Sequence, residues 1–259
     1  MSSIEVRSIT AGYGQHVILK DLSVTIPKGK VTMIIGPNGC GKSTLLKHIA
    51  RIKRPIKGSI FLDHEDMATL HPKAIAKKMA ILPQSPIAPS GLLVKELVSF
   101  GRFPYQKPIG PLQKEDWRII DWAMKETGIF AQKDSLVEAL SGGQRQRAWI
   151  AMALAQKTDV IVLDEPTTYL DISYQLEILE LLKQMNQTTG QTIVMVLHEL
   201  NLACRYGDHI IGMKEGTILF EGKPNEVITP EHLHDLYGIR VQLQNSKDQT
   251  YPICVDYEL

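Results

Sequence analysis

The chain has 259 residues, and its 29 lysines and arginines nearly balance its 28 aspartates and glutamates, giving a formal net charge of +1. Balanced charge provides no whole-molecule field for nucleic acid or an anionic bilayer, so binding of either kind must come from a local site. The apolar runs are too short to span a bilayer and the N-terminus lacks a secretory-signal pattern, which predicts a cytosolic chain. The three cysteines are widely spaced, so neither disulfides nor a zinc site is predicted.

The first part of the chain is rich in strand patterns. Residues 4–9 and 17–26 alternate apolar and polar side chains, which predicts two antiparallel strands joined by a turn. Val31 to Ile35 is a short run typical of a strand buried on both faces, and a helical spacing of apolar residues starts at Ser43. Further buried strands are predicted at residues 59–62, 79–82, 160–163, 192–197 and 209–213. Because helical patterns separate several of them, we expect an α/β fold with a mainly parallel sheet.

The stretch from about residue 86 to 156 differs from its surroundings. Helices are predicted at 94–98, 116–127 and 144–156, and a proline-rich break interrupts them. This pattern predicts a helical insertion between two halves of the α/β core. After residue 224 the chain returns to short helical and strand-like pieces, with a turn at 246–249.

A phosphate-binding loop is predicted directly after the strand at 31–35. Residues 36–44 match the pattern G-x-x-x-x-G-K-[ST] in full, between a predicted strand and a predicted helix. The glycines can turn successive N–H groups inward around an anion, and the following helix N-terminus favours negative charge. Lys42 is predicted to reach the β- and γ-phosphates and Ser43 to bind magnesium; a glycine-rich turn without a ligand is the disfavoured alternative. The ATP-binding candidates here are Gly36, Pro37, Asn38, Gly39, Cys40, Gly41, Lys42, Ser43 and Thr44.

A pair of acids ends the buried run at 160–163. A carboxylate at the end of a buried strand is costly without a charged or hydrogen-bonded partner, and a hydrated magnesium ion would be one. We therefore expect Asp164 to face magnesium, and Glu165 to polarise a water beside the γ-phosphate. The alternative is a strand-end acid that caps the next helix.

A third motif lies upstream of this pair. Leu140 and the four residues after it, Ser141, Gly142, Gly143 and Gln144, resemble the signature of ATP-binding cassette (ABC) ATPases, at the place where that family carries it. Ser141 can cap a helix whose N-terminus the glycines expose, which creates another anion-binding surface. Alone, this segment would predict only a helix cap. The resemblance implies that it binds ATP held by a second copy, so that two chains form a head-to-tail dimer around two ATP molecules.

Other positions match the family one at a time. The resemblance implies that Tyr13, otherwise a turn tyrosine, stacks on adenine, and that Gln84 links magnesium to the helical subdomain. Residues 169–171, with Asp171 near the nucleotide, match the loop that crosses the dimer interface. His198 matches the switch histidine that contacts the γ-phosphate, although a lone histidine there is more often a core residue; Glu199 replaces the usual aspartate. The catalytic candidates are Glu165, His198 and Gln84, and the metal candidates are Ser43, Gln84 and Asp164.

The resemblance extends from residue 4 to about residue 238 and implies a fold. That fold is a P-loop NTPase with a RecA-like parallel-sheet core, an N-terminal antiparallel β-subdomain and an inserted α-helical subdomain. It places the ABC ATPase domain at 1–240, the helical subdomain at about 86–156 and a short C-terminal extension at 241–259.

A subgroup can be named from finer detail. Residues 46–55, 101–104, 144–156, 164–171 and 198–203 resemble the ATPase subunits of iron(III)-siderophore importers, although Tyr105 stands where a histidine is frequent. This resemblance implies that the chain hydrolyses ATP with Mg²⁺ at the cytoplasmic face of the membrane. It also implies two kinds of partner: separate permeases that dock near residues 86–103, and an extracytoplasmic siderophore-binding protein. Alternatives are a haem, cobalamin or other metal-chelate transporter or an exporter. A soluble, non-transport ABC protein acting on nucleic acid or ribosomes is disfavoured, because the chain has one signature motif, no heptad array and no basic patch.

Overall fold

The computed structural model describes residues 4–14, 16–107, 110–168, 170–248 and 250–259. The strands are β1 (Ile4–Tyr13), β2 (His16–Ile26), β3 (Val31–Ile35), β4 (Lys57–Leu62), β5 (Glu65–Asp66), β6 (Met79–Leu82), β7 (Val160–Asp164), β8 (Thr192–Val196), β9 (His209–Lys214), β10 (Thr217–Gly222), β11 (Arg240–Asn245) and β12 (Pro252–Glu258). The α-helices are α1 (Lys42–Ile49), α2 (Pro72–Lys78), α3 (Val94–Ser99), α4 (Lys114–Glu126), α5 (Gly142–Ala155), α6 (Ile172–Thr189), α7 (Leu200–Tyr206), α8 (Pro224–Val227) and α9 (Pro230–Tyr237). Short 3-10 helices lie at Phe100–Tyr105, Phe130–Gln132 and Val137–Ala139.

The central sheet brings the ends of three buried strands together. Its strand order is β10-β9-β3-β8-β7-β6, and all neighbours are parallel except β9 and β10. Every residue of β3, β7 and β8 is buried, as expected for strands covered on both faces. Val196 pairs with both Ile34 and Asp164, so these strands end side by side. Open α/β sheets bind ligands at this carboxyl edge.

Side chains of the same strands pack into two hydrophobic cores. Met33 and Ile35 pack into a core with α5 and α6, whereas Ile34 packs into a second core with α1 and the antiparallel sheet. This alternation follows from the period of two along a strand. None of the helices in the described part of the chain combines the length and apolar character that a membrane span requires.

An antiparallel sheet stands beside the core, with the order β2-β1-β4-β5. Residues 59–62 were predicted to form a buried strand. They lie in β4, which pairs antiparallel with β1 and is only partly buried, so the predicted full burial is wrong. The burial of β4 alternates along its second half, as in a sheet with one face towards solvent. The sequence does not show this alternation, because Ile60, Phe61 and Leu62 are all apolar.

Between β6 and β7 the described residues contain helices and no strand of either sheet, as the sequence predicted. Helices α3, α4 and α5 share a core that includes Val98, Met124 and Ile150. The buried Arg102 joins them: its Nε lies 2.9 Å from Asp116 Oδ1, and its Nη1 donates to the carbonyl of Ala155 at 2.9 Å. Arg102 therefore ties the 3-10 helix after α3 to α4 and to the end of α5.

The C-terminal part contains structure that the sequence left open. Strand β10 returns antiparallel along β9, and β11 and β12 form a separate hairpin. The turn predicted at 246–249 lies between β11 and β12, although residue 249 is outside the described residues. The hairpin follows α9, which ends at Gly238 with φ +73°.

Candidate active site

The loop at 36–41 needs glycine for two reasons. Gly36, Gly39 and Gly41 have φ values of +148°, +78° and +107°, which side chains with a Cβ rarely adopt. A Cβ on Gly36 would lie 2.1 Å from the carbonyl oxygen of Met213, and one on Gly41 would lie 2.8 Å from Leu19. The loop is thus pressed against β9 and β2 and can carry little besides backbone at these positions.

Lys42 is held inside the loop. Its Nζ donates hydrogen bonds to the carbonyls of Gly36 at 2.8 Å and Pro37 at 2.9 Å, and the residue is 5% exposed. Among the described residues, no carboxylate forms an ion pair with it. A buried cation satisfied only by neutral carbonyls favours an anionic ligand at the loop.

Ser43 and Asp164 form the oxygen-rich side of the site. The Ser43 hydroxyl donates to Asp164 Oδ1 at 2.9 Å. Burial raises the pKa of Asp164 and the neighbouring Glu165 adds to this, whereas Ser43, Lys47 and Lys42 act in the opposite direction. Two adjacent hard oxygen ligands suit Mg²⁺, which keeps several waters and substrate phosphates and needs only one or two protein carboxylates. The described residues contain no cluster of three or more His, Cys, Asp or Glu that could hold a metal ion.

The Glu165 carboxylate contacts side chains from three loops. Its Oε1 lies 2.6 Å from His198 Nε2, while Gln84 Nε2 and the Thr168 hydroxyl donate to its Oε2, the latter at 3.0 Å. These partners follow β6, β7 and β8, which end at the same edge of the sheet. The backbone of Glu165 has φ +52°, in the left-handed region. Such a conformation costs about 1–3 kcal/mol and persists only where the surroundings hold it.

Two clefts meet at this carboxylate. The first is lined by Ile18, Asn38, Gly39, Gly41, Lys42, Ser43, Thr44 and Glu165. The second is lined by Glu165, Thr167, Thr168, Gln175, Val196, Leu197, His198 and Glu199. Because Glu165 belongs to both, it can act on a group held by the phosphate loop, and a general base needs such a position.

The signature segment lies elsewhere and lines neither cleft. Ser141 caps α5: its hydroxyl accepts from the N–H of Gln144 at 3.3 Å, and the Gln144 side-chain oxygen accepts from the N–H of Ser141 at 3.1 Å. Ser141 and Gly142 are exposed, and the buried Gly143 packs against the ring of Tyr174. The helix cap expected of this motif is present, and its outer surface faces solvent.

Two further candidates also lie apart from the clefts. Tyr13 ends β1 with 37% of its surface exposed, and the Lys53 ammonium lies 3.7 Å from its ring centroid. Asp171 is exposed at the N-cap position of α6. Tyr169, from the same predicted loop, lies outside the described residues.

Some residues of the site were missed by sequence reasoning. Thr168 bonds Glu165, and a hydroxyl three residues after the acid in a proline-containing turn was a usable signal. Tyr237 gave no local signal, because it is about 200 residues away from the phosphate loop along the chain. Burial raises the pKa of Tyr237 to about 12, and its hydrogen bond with the Gly36 backbone acts in the opposite direction. The Cys40 thiol is buried in the core beneath the loop, and burial raises its pKa.

Comparison with known proteins gives a consistent result. A family model described as "ABC transporter" matches residues 19–168. The chain is 51% identical over 259 residues to the iron(3+)-hydroxamate import ATP-binding protein of Bacillus subtilis, covering 100% of this chain and 96% of that protein. It is 45% identical over 247 residues to the ferric enterobactin transport ATP-binding protein of Escherichia coli, covering 95% and 91%. A dimeric ATP-binding cassette in a post-hydrolysis state with ADP and phosphate has 31% identity and a TM-score of 0.72, covering 85% and 98%.

Proposed function

Since this chain belongs to the ABC transporter family of ATPases, we propose that it is the ATP-hydrolysing subunit of an importer for iron(III)-siderophore complexes. The observation that carries hydrolysis is the Glu165 carboxylate, held by His198, Gln84 and Thr168 where two clefts meet. The substrate class is supported by similarity along the whole chain to proteins that import iron(3+)-hydroxamate and ferric enterobactin.

The phosphate loop binds the triphosphate of ATP in this proposal. Lys42 offers a buried positive charge that no carboxylate in the described part of the chain pairs with, and Gly36, Gly39 and Gly41 allow the backbone to close around phosphate oxygens. Ser43 and Asp164, with Gln84 towards the helical unit, would hold Mg²⁺. When bound, that ion supplies positive charge that offsets the charge on the transferred phosphoryl group.

Glu165 is the general base of the proposed reaction. It accepts a proton from the water that attacks the γ-phosphate, and His198 and Gln84 keep its carboxylate oriented. Thr168 holds the same oxygen as Gln84 and restricts rotation of the side chain. The strained backbone at Glu165 directs the carboxylate to this place before the nucleotide arrives.

A second copy completes each site. The cap of α5 at Ser141 is exposed and lies away from the two clefts, so one chain alone does not present it to its own phosphate loop. In a head-to-tail dimer, Ser141 to Gln144 and Asp171 of one chain would face ATP on the other. Tyr13, exposed at the end of β1, is the proposed adenine contact.

The remaining partners are membrane subunits. We assign the chain to the cytoplasmic face of the membrane, where the helical unit at about 86–156 receives the permeases, and an extracytoplasmic protein delivers the siderophore. Ile87 is 90% exposed and Phe103 53% exposed, which supports an apolar docking surface. The helical unit is part of the proposed ATPase domain at 1–240, followed by the extension at 241–259. No nucleic acid partner is proposed, given a net charge of +1.

Iron uptake in a deletion strain tests this function. The strain is complemented with the wild-type chain or with Glu165→Gln, and uptake of iron-55 is measured from a hydroxamate siderophore, a catecholate siderophore and haem, with labelled cobalamin alongside. We expect loss of uptake from at least one siderophore, rescued only by the wild-type chain. Loss confined to haem or cobalamin would favour the corresponding alternative, and normal uptake of every compound would refute an import role.

A further inference from the structure

The C-terminal hairpin makes a two-point contact with the helix that follows the candidate histidine. The side-chain amide of Asn201 donates to the carbonyl of Cys254 at 3.0 Å, and its oxygen accepts the N–H of Cys254 at 2.8 Å. This is the exchange that a residue of a neighbouring antiparallel strand would make. Asn201 thereby occupies part of the edge of β12 that β11 leaves open.

Packing near this pair supports the contact. Cys204 lies on α7, about one turn beyond Asn201, and is 2% exposed. Burial raises the pKa of the Cys204 thiol to about 12, and the Cys254 thiol adds to that rise. Helix α7 and strand β12 are therefore packed together over about one helical turn.

The hairpin itself is firmly built. Ser246 is buried, and its hydroxyl accepts the N–H groups of Thr250 at 3.1 Å and Tyr251 at 3.3 Å while it donates to Asp248. Asn225, on α8, donates to the carbonyl of Thr250 at 2.9 Å. The hairpin is thus joined to the protein on two sides, at α7 and at α8, and can act as a fixed support.

Only two residues connect the central sheet to α7, the helix that the hairpin supports. The N–H of Leu197 donates to the carbonyl of Ile34 at 3.3 Å, and α7 begins at Leu200. His198 and Glu199 form the connection between these fixed points. A shift in the start of α7 must therefore move His198 relative to Glu165, which lies 2.6 Å from its Nε2.

We propose that Asn201 is a positioning residue: by clamping α7 to β12, it holds His198 at hydrogen-bonding distance from Glu165. The inference rests on the proposed role of His198 in hydrolysis. It gives the C-terminal hairpin, which lies outside the span 19–168 matched by the family model, a part in the ATPase reaction. Small misplacements of catalytic groups are expensive: about 1 Å can cost 100-fold in rate.

A double-mutant cycle on the full chain tests the inference. Steady-state ATP hydrolysis is measured for Asn201→Ala, His198→Ala and the double variant, with thermal unfolding to check that each is folded. We expect Asn201→Ala to lower kcat about tenfold with the KM for ATP changed less than about twofold, because nucleotide binding does not involve the clamp. In the His198→Ala background, the same substitution should have no further effect on kcat.

Two variants sharpen this test. Asn201→Asp keeps the acceptor but loses the donor, so an intermediate kcat is expected. Tyr257→Ala is the matched control, since that side chain is on the same hairpin but 72% exposed, and it should leave kcat unchanged.

Three results would overturn the inference: an unchanged kcat in Asn201→Ala, an equal loss in both backgrounds, or a rise in KM that accounts for the loss. If His198→Ala alone retained wild-type kcat, the role of His198 in the proposed function would fail, and the clamp with it. A deficient His198→Ala combined with a fully active Asn201→Ala would reject only the clamp.

Discussion

At Glu165 three features meet in one residue. Its backbone is left-handed at φ +52°, its side chain is 10% exposed, and its carboxylate contacts His198, Gln84 and Thr168. These contacts offset the strain of the left-handed backbone. The result is a carboxylate whose position is set in advance, which reduces the reorganisation required during the reaction.

Replacing Glu165 with glutamine separates binding from chemistry. The amide preserves the shape of the side chain but cannot take the proton of the attacking water, so we expect kcat to fall by about 100-fold to 10,000-fold. ATP binding should persist, because Lys42 and the loop are unchanged. Equilibrium nucleotide binding, ATP hydrolysis and size-exclusion chromatography with ATP provide the measurements, and an ATP-dependent dimer should accumulate. Rapid steady-state hydrolysis by this variant would exclude Glu165 as the base.

The burial of Asp164 should lower the folding stability of the chain. Burial raises its pKa in the folded protein above the value in the unfolded chain, so ionisation at neutral pH destabilises the fold. Without nucleotide and Mg²⁺, Asp164→Asn should therefore raise the free energy of unfolding at pH 7. The gain should vanish below about pH 4, where aspartate is protonated in both states. Urea unfolding across this pH range measures the effect, and a less stable variant at pH 7 would contradict it.

Among the elements, the helical unit depends on one buried ion pair. The side chain of Arg102 is 7% exposed and that of Asp116 15%, and Asp116 also accepts the N–H of Gln113 at the start of α4. Arg102 further donates to the last residue of α5, Ala155. Removing either charge leaves its buried partner without an opposite charge, which is more costly than losing an exposed pair.

Arg102→Ala should therefore destabilise the chain by about 3–5 kcal/mol. Arg118→Ala is the matched control on α4, since Arg118 pairs with Glu115 while both side chains are at least 70% exposed. Its loss should cost less than about 1 kcal/mol. Urea unfolding measures the free energy of unfolding of both variants. Equal destabilisation would show that Arg102 does not hold the three helices together.

At the scale of the whole molecule, the parts of the proposed nucleotide site occupy two different surfaces. Lys42, Ser43 and Glu165 line the clefts at the sheet edge, and Asp164 is hydrogen-bonded to Ser43 there. The exposed cap of α5 at Ser141 lines neither cleft. In the proposed head-to-tail dimer, symmetry would bring the two surfaces together twice. Each chain would then contribute one half of each of two ATP sites.

Mixing two inactive variants tests this arrangement. In a heterodimer of Lys42→Ala with Ser141→Arg, one site would combine both defects and the other would combine an intact loop with an intact cap. Random pairing then predicts up to about a quarter of wild-type hydrolysis from a mixture of two variants that are inactive alone. The test compares the ATPase rate of the mixture with the rate of each variant alone. A mixture without activity would argue that loop and cap act within one chain.

Much of the architecture was predictable because its signals are local. The strand, glycine loop and helix around Lys42 occupy consecutive residues, and Asp164 directly ends a buried strand. The helical unit also followed from composition and spacing. By contrast, the pairing of β4 with β1 and the presence of β10 were not predicted, since the partner of a strand can be far away along the chain. Both omissions concern pairing, which local patterns do not specify.

The sequence by itself determined the kinds of group available: a phosphate loop, a pair of acids, a capped helix and a histidine after a strand. Only the tertiary structure decided which of them meet. Gln84, Thr168 and His198 reach Glu165 because β6, β7 and β8 end together, and Tyr237 reaches Gly36 from the far end of the chain. The physical reason is that local propensity acts over a few residues, whereas these contacts depend on packing between remote segments.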